Sequence, residues 1–295
     1  MATYNSRVLH DLKEVSGYLG VPADTLRKWE SRHAVVAPRR RRNGYRSYDD
    51  ADLERLRRFA VLRRQGLSAG AAARSARRAS LRADPWIGRI KNETVAAIGA
   101  LDRRRLGRVF DASLRRQGLE RAVSQVWLPT LAEVGARAHA RGGFWIAAEH
   151  FASAFLRERL LGAAQEARAD GPPALVLAAP AGDRHELGML AALCRLESLG
   201  VGCLYLGADL PQESLTAALA RVKARGLALT LTADLARREL RAVLADLRRR
   251  FPRLRLYVCG QASPRHANLI RDMGAAFLGT DLPGGTARIA AELAP

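Results

Sequence analysis

Ala174–Gly188 reads ALVLAAPAGDRHELG, an apolar run followed by a polar loop in which His185 stands two residues after Asp183 and three before Gly188. A short apolar run closed by turn formers fits a buried strand. Further strand candidates follow at Gly202–Leu206, Ala228–Thr232 and Leu254–Cys259, with a weaker one at Ala276–Leu278. Helical stretches at Leu187–Leu199, Gln212–Arg225 and Ala236–Arg250 alternate with them. Such alternation predicts a doubly wound parallel sheet with helices on both faces. Ligands of that fold sit beyond the carboxyl ends of the strands, where the His185 loop falls. An imidazole beside a carboxylate there can ligate a metal, its ring oriented by the second hydrogen bond. Asp183 is the natural orienting partner, and Gly188 would let the backbone approach something bulky. The alternative at this point is an ordinary exposed loop histidine.

The totals bound the function. The 295 residues suit two or three domains. The hydrophobic fraction of 48% is ample for buried cores. Net charge is +20 and the sequence pI about 11.2. That excess points to a polyanion, nucleic acid or an anionic membrane surface, although arginine richness of this kind also tracks genome composition. No apolar stretch is long enough to span a bilayer, and the N-terminus lacks a signal peptide's apolar core, so a soluble cytoplasmic protein is expected. Cys194, Cys203 and Cys259 have neither disulfide-framework nor zinc spacing.

Texture divides the chain into residues 1–77, a linker at 78–90 punctuated by Pro85, a helical segment at 91–170 with breaks at Gly118 and Gly142-Gly143, and the strand–helix segment at 171–295. In the first, DLKEVSGYLGVPADTLRKWESR (Asp11–Arg32) predicts two short helices around a Gly20 turn, sharing a seam of Val15, Leu19, Leu26 and Trp29. The second helix would present Thr25, Arg27, Lys28 and Arg32, as a helix reading a major groove requires. The next stretch, APRRRRNGYRSY (Ala37–Tyr48), carries Asn43-Gly44, a strong hairpin signal. Arg39, Arg40, Arg41, Arg42, Tyr45 and Arg46 make it a basic wing for gripping phosphate. Residues 1–90 hold 20 Lys and Arg against 9 Asp and Glu, which favours DNA over a small helical domain with solvated arginines.

Those pieces in order (LGVPADTLRKWE, NGYRSY and DDADLERLRR) resemble the MerR family of winged-helix regulators over roughly residues 8–76. The C-terminal segment resembles the cobalamin-binding domain of methionine synthase and the cobalamin-dependent mutases. The motifs are APAGDRHELGML, LGADLP (Leu206–Pro211), LTLT (Leu229–Thr232) and VCGQA (Val258–Ala262). The resemblance implies that His185 is the lower axial ligand of cobalt and Asp183 its partner. Thr230 and Thr232 would line a slot for the cofactor's nucleotide tail, and Gly260 would allow the tail close passage. Threonine where the family often has serine is a mild departure. Cys259, in place of the first of a usual glycine pair, would narrow the slot by a side chain.

Val126–Leu156 resembles the four-helix cap over cobalamin's upper face. The full order is similar to that of the CarH, LitR and CarA regulators. The fold implied is multidomain α and α/β: a winged helix-turn-helix, a four-helix bundle and a Rossmann-like cobalamin domain. In light-sensing members, adenosylcobalamin holds a DNA-bound tetramer until light breaks the cobalt–carbon bond and derepresses carotenoid-synthesis genes. Those members carry a tryptophan separated by nine residues from a Glu-His pair. Here Glu149-His150 is present, but His139 holds the tryptophan's position and Ala140 the next, where a cobalt-ligating histidine is found. Trp145 shares a helical face with Glu149 and could fill the gap, or could be ordinary helix packing. His139 as an upper axial ligand would give a bis-histidine site with His185, favouring hydroxocobalamin or even haem or a bilin; the alternative is a partly exposed helix residue. The expected partners are double-stranded promoter DNA and further copies of the chain, as a dimer or tetramer, with no membrane. The rival readings are a CarA-like regulator whose cobalamin fold is only an interaction platform, and a methyltransferase or mutase subunit. Against the enzyme stand the missing substrate barrel and the missing nucleophile–base constellation.

Overall fold

The computed structural model describes residues 10–19, 21–40, 44–64, 67–81 and 84–293. The chain forms two units, Met1–Trp86 and Ile87–Pro295.

The first unit begins with α1 (Leu12–Leu19) and α2 (Ala23–His33). Asp11 and Glu14 open α1 with a reciprocal capping box, each side chain accepting the other's backbone N–H at 2.8 Å. Strands β1 (Arg39–Arg40) and β2 (Arg46–Ser47) then pair antiparallel, and β2 continues into a bridge between Tyr48 and His10. Helices α3 (Asp50–Arg64) and α4 (Ala69–Leu81) complete the unit. Val15, Leu26, Tyr48, Leu56 and Phe59 are buried at its centre, with Leu19 and Trp29 packed on them. Gly20, Arg41, Arg42 and Asn43 lie outside the described residues.

The segment expected to be a linker is largely helical. Residues up to Leu81 belong to α4, and Pro85 opens α5 (Pro85–Gly99), where a proline's fixed φ suits the first turn. α5 is followed by α6 (Arg103–Arg121), a π-helical turn (Ala122–Trp127), α7 (Leu128–Arg141) and α8 (Phe144–Glu166). Both expected breaks are present. Gly118 leaves helical geometry at φ 75°, and Gly142 and Gly143 turn α7 into α8 with φ of 62° and 51°. Phe110, Trp127 and Phe155 meet in the bundle core at 5.0–6.0 Å between rings.

The α/β half contains β3 (Leu175–Pro180), α9 (Leu187–Ser198), β4 (Cys203–Leu210), α10 (Gln212–Arg221) and β5 (Gly226–Thr230). It continues through α11 (Arg237–Arg250), β6 (Arg255–Cys259), α12 (Ala267–Asp272), β7 (Ala276–Gly279) and α13 (Leu282–Leu293). The five strands are parallel in the order β4-β3-β5-β6-β7. The chain therefore reverses its winding between β3 and β5. Leucines of α10, α11 and α12 cover one face of the sheet. α9 and α13 lie together, joined by Arg195 Nε donating to Thr286 Oγ1 at 2.7 Å.

Several ends differ from the sequence expectation. β4 runs four residues further, to Leu210, past a bulge at Gly207, which holds a φ of 90°. α10 stops at Arg221 rather than Arg225, because the Arg225 N–H already donates to Ala174 O at 2.8 Å as β5 begins. Strand β5 stops at Thr230, since the Thr232 N–H is taken by Asp183. α12 and α13 were not anticipated.

Gly260, just after β6, has φ 102°, and a Cβ there would stand 2.3 Å from the Leu231 carbonyl oxygen. The close approach that this glycine permits in the structure is to the chain's own backbone. Gly260→Ala is expected to cost roughly 3 kcal/mol or more, combining left-handed strain with a backbone clash. A thermal unfolding midpoint equal to that of the parent would refute this.

Candidate functional site

The crevice at the β3/β5 reversal is built around one carboxylate. Asp183 is 3% exposed. Its Oδ2 accepts the backbone N–H groups of Thr232 at 2.5 Å and Ala233 at 2.9 Å, both beyond β5. Its Oδ1 accepts the His185 N–H at 3.1 Å and faces His185 Nδ1 at 3.0 Å. Its own carbonyl accepts the Asp209 N–H at 2.8 Å. One residue thus ties together the segments that follow β3 and β5 and the end of β4. Asp209 adds a return contact, accepting the Gly182 N–H at 2.7 Å, which with nearby Arg184 holds its carboxyl below the ordinary range.

This network fixes the imidazole. Asp183 is an acceptor, so Nδ1 donates to it, and in the neutral ring this leaves the lone pair on Nε2. The His185 side chain is 66% exposed. A pre-oriented neutral imidazole presenting Nε2 is the donor a first-row metal takes. A cleft of about 250 Å³ borders Asp183, lined also by Pro180, Gly182, Ala233, Asp234 and Glu239 among others. Gly188, in the first turn of α9, is exposed, and nothing lies within 4 Å of where its Cβ would be.

Thr230 is buried, with its hydroxyl 3.6 Å from Cys259 Sγ, while Thr232 is half-buried beside it. The cysteine does occupy space between these strand ends. Burial pushes its thiol up, so it stays protonated.

The bundle reaches the crevice through Glu186, a residue the sequence reading did not single out. Arg157 on α8 donates to it at 2.6 Å, and the Tyr205 phenol on β4 donates at 2.6 Å. Further along, Cys194 Sγ donates to Leu160 O at 3.1 Å. The two helices therefore run in the same sense, and the thirteen residues of α8 before Arg157 continue roughly 20 Å past the start of α9. That overhang carries Trp145, Glu149 and His150. Trp145 is half-buried under Arg137, whose guanidinium lies 5.0 Å from the ring centroid, and Glu149 accepts Ser153 Oγ at 2.6 Å. His150 is exposed, as is His139 in the last turn of α7. No contact among the described residues joins His139 to His185.

In the first unit, Arg27, Lys28 and Arg32 are exposed along α2 and Thr25 is half-buried. Arg27 pairs with Asp24 at 2.7 Å. Arg39 and Arg40 are exposed on the hairpin, and Tyr45 is 71% exposed. Arg46 differs: its Nε donates to Glu30 Oε2 at 2.8 Å. Arg41 and Arg42 lie outside the described residues.

A family model described as MerR HTH family regulatory protein matches residues 11–78. Two relatives come from Myxococcus xanthus. The HTH-type transcriptional repressor CarA is 30% identical over 270 residues, covering 90% of this chain and 91% of that one. The HTH-type transcriptional repressor CarH is 31% identical over 261 residues, covering 84% and 87%. Among solved structures, the Methanosarcina barkeri monomethylamine corrinoid protein superimposes with a TM-score of 0.51 at 17% identity, over 69% of this chain and 96% of that one. The likeness is one of fold.

Asp183→Ala should destabilise the second unit by about 2–4 kcal/mol without any added ligand, because three backbone N–H groups lose their acceptor. Amide exchange at Thr232 and Ala233 should quicken with it. Unchanged protection at those two amides would contradict the assignment.

Proposed function

Because this chain belongs to the family of the HTH-type transcriptional repressors CarA and CarH, we propose that it represses transcription in the cytoplasm, its hold on promoter DNA governed by a cobalamin carried on His185. The observation that carries this reading is the His185–Asp183 pair: an imidazole whose tautomer is fixed from inside the protein and whose free nitrogen faces outward at a strand-end crevice. His185 would hold the metal, with Asp183 orienting its ring. Thr230, Thr232 and Gly260 border the place where a nucleotide tail would enter, with Cys259 narrowing it. Gly188 leaves room beside the ring, while Trp145, Glu149 and His150 stand on the overhanging helix above. A bound alkylcobalamin would supply a cobalt–carbon bond that visible light breaks, which is the chemistry a light-responsive repressor needs.

Arg39–Arg42 contact phosphates, and Thr25, Arg27, Lys28 and Arg32 on α2 face base edges. One such module buries too little surface for strong specificity. Binding therefore depends on a dimer or tetramer, and occupancy changes steeply with assembly. This is a regulator and not a methyl- or group-transferring enzyme.

A second reading concerns the upper face. His139 is exposed and has no hydrogen-bond partner among the described residues, so its imidazole is free to ligate. Acting with His185, it would favour hydroxocobalamin, or a haem or bilin, over adenosylcobalamin. Absorbance of the full chain reconstituted in the dark separates the two: an adenosylcobalamin spectrum that bleaches in green light rules out the bis-histidine form.

Gel shifts of parent and His185→Ala, in dark and light, with and without cobalamin, test the main reading. His185→Ala is expected to keep DNA affinity within a fewfold and to lose both cobalamin binding and any response to light. A light response that survives the substitution would sink the proposal.

A further inference from the structure

Glu30 is the one carboxylate among the described residues that receives donors from both strand β2 and the bridge that follows it. It stands near the end of α2 with its side chain 9% exposed. Oε2 accepts Arg46 Nε at 2.8 Å, and Oε1 accepts the Tyr48 phenol. Tyr48 is fully buried in the unit's core, where burial and the neighbouring carboxylate push its phenol above the ordinary value, so it remains a donor. The C-terminal end of α2 is held separately: Arg77 of α4 donates to the His33 and Ala34 carbonyls at 2.9 Å. A cation on those carbonyls also suits the helix dipole.

A guanidinium that donates its Nε to a buried carboxylate is committed in direction. Removing Arg46 leaves the nearly buried Glu30 carboxylate without its cation, which costs more than the pair's net worth. The pair also joins two surfaces that must meet DNA together, the helix entering the groove and the hairpin beside it.

We propose that Glu30 is a positioning residue for DNA binding: by engaging Arg46 and Tyr48 it fixes the wing against α2 and withdraws Arg46 from the phosphate contacts. The inference rests on the reading of this unit as a DNA-binding module. Within it, Arg39 and Arg40 carry the phosphate grip, while Arg46 acts through Glu30.

The test is a double-mutant cycle in the full-length chain with Glu30→Gln, Arg46→Gln and both together. Binding to a labelled duplex selected from a random-sequence pool is titrated between roughly 50 and 200 mM salt. Each single change should weaken binding on the order of tenfold, and the double change no more than either alone. The slope of log affinity against log salt should stay at the parent value, because no phosphate contact is lost. A slope smaller by about one for Arg46→Gln, with its cost undiminished in the Glu30→Gln background, would mark Arg46 as a phosphate contact and overturn the proposal. Should Glu30→Gln fail to fold, Tyr48→Phe keeps the ring and removes only the phenol; it is expected to weaken binding with the parent slope, and parent-like affinity would overturn the proposal too. Parent protein that shows no salt-dependent duplex binding at all would instead bring down the DNA-binding reading, and this inference with it.

Discussion

A carboxylate sealed inside a parallel sheet's crevice has few places to find donors, and Asp183 finds them on the far side of the winding reversal. Its hydrogen bonds to the Thr232 and Ala233 amides close the gap between the segments leaving β3 and β5. The same carboxylate takes the His185 ring. Sheet topology, loop shape and imidazole tautomer therefore share one cause. Backbone amides that would be orphaned at the end of β5 are satisfied by the group that orients the candidate ligand. A substitution at Asp183 cannot disturb one of these roles and leave the others.

Partly buried carboxylates do related work elsewhere. Glu186, next to the ligand candidate, takes donors from α8 and β4. Glu30 takes donors from the hairpin and the strand bridge beyond it. In each case an acidic side chain from one element accepts from two others, so the elements keep one relative orientation. Apolar contact alone is non-directional and tolerates sliding. Charge-assisted hydrogen bonds do not. In a chain with so many arginines, the few carboxylates turned inward set direction, while the exposed cations supply long-range field.

Much of this was legible in the sequence because local signals agreed. The apolar run before GDRHELG, the alternation of strand and helix, and the Gly118 and Gly142-Gly143 breaks all survive in the structure. The pairing of Asp183 with His185 followed from their spacing. What was not legible depended on distant partners. Nothing near Asp183 announces that it will hold amides some fifty residues away. Arg46 looked like one more cation in a basic hairpin, and only the fold turns it toward Glu30. The boundary between the two units falls within the expected linker, but that stretch is largely helical, because Pro85 reads as a break when isolated and as a helix start when good helix formers follow. Helices α12 and α13 were missed because one is barely two turns and the other begins LPGG, a turn-like opening.

The distribution of charge bears on how such a protein can be switched. Phosphate contacts supply affinity with little sequence information and weaken steeply with salt. A sensor that merely altered one such contact would change occupancy modestly. A ligand shifts an equilibrium only by its difference in affinity for the two states, so a useful sensor must be attached to something with two distinct arrangements. On the proposed reading of His185 as the ligand, Glu186 would be that attachment, since it adjoins His185 and pairs with Arg157 of helix α8. Motion of the His185 loop must break or carry that ion pair. The helix it grips also bears exposed Phe144 and Ile146 at its far end, so a displacement at the crevice would be delivered to apolar surface, where small shifts decide whether faces pack or part.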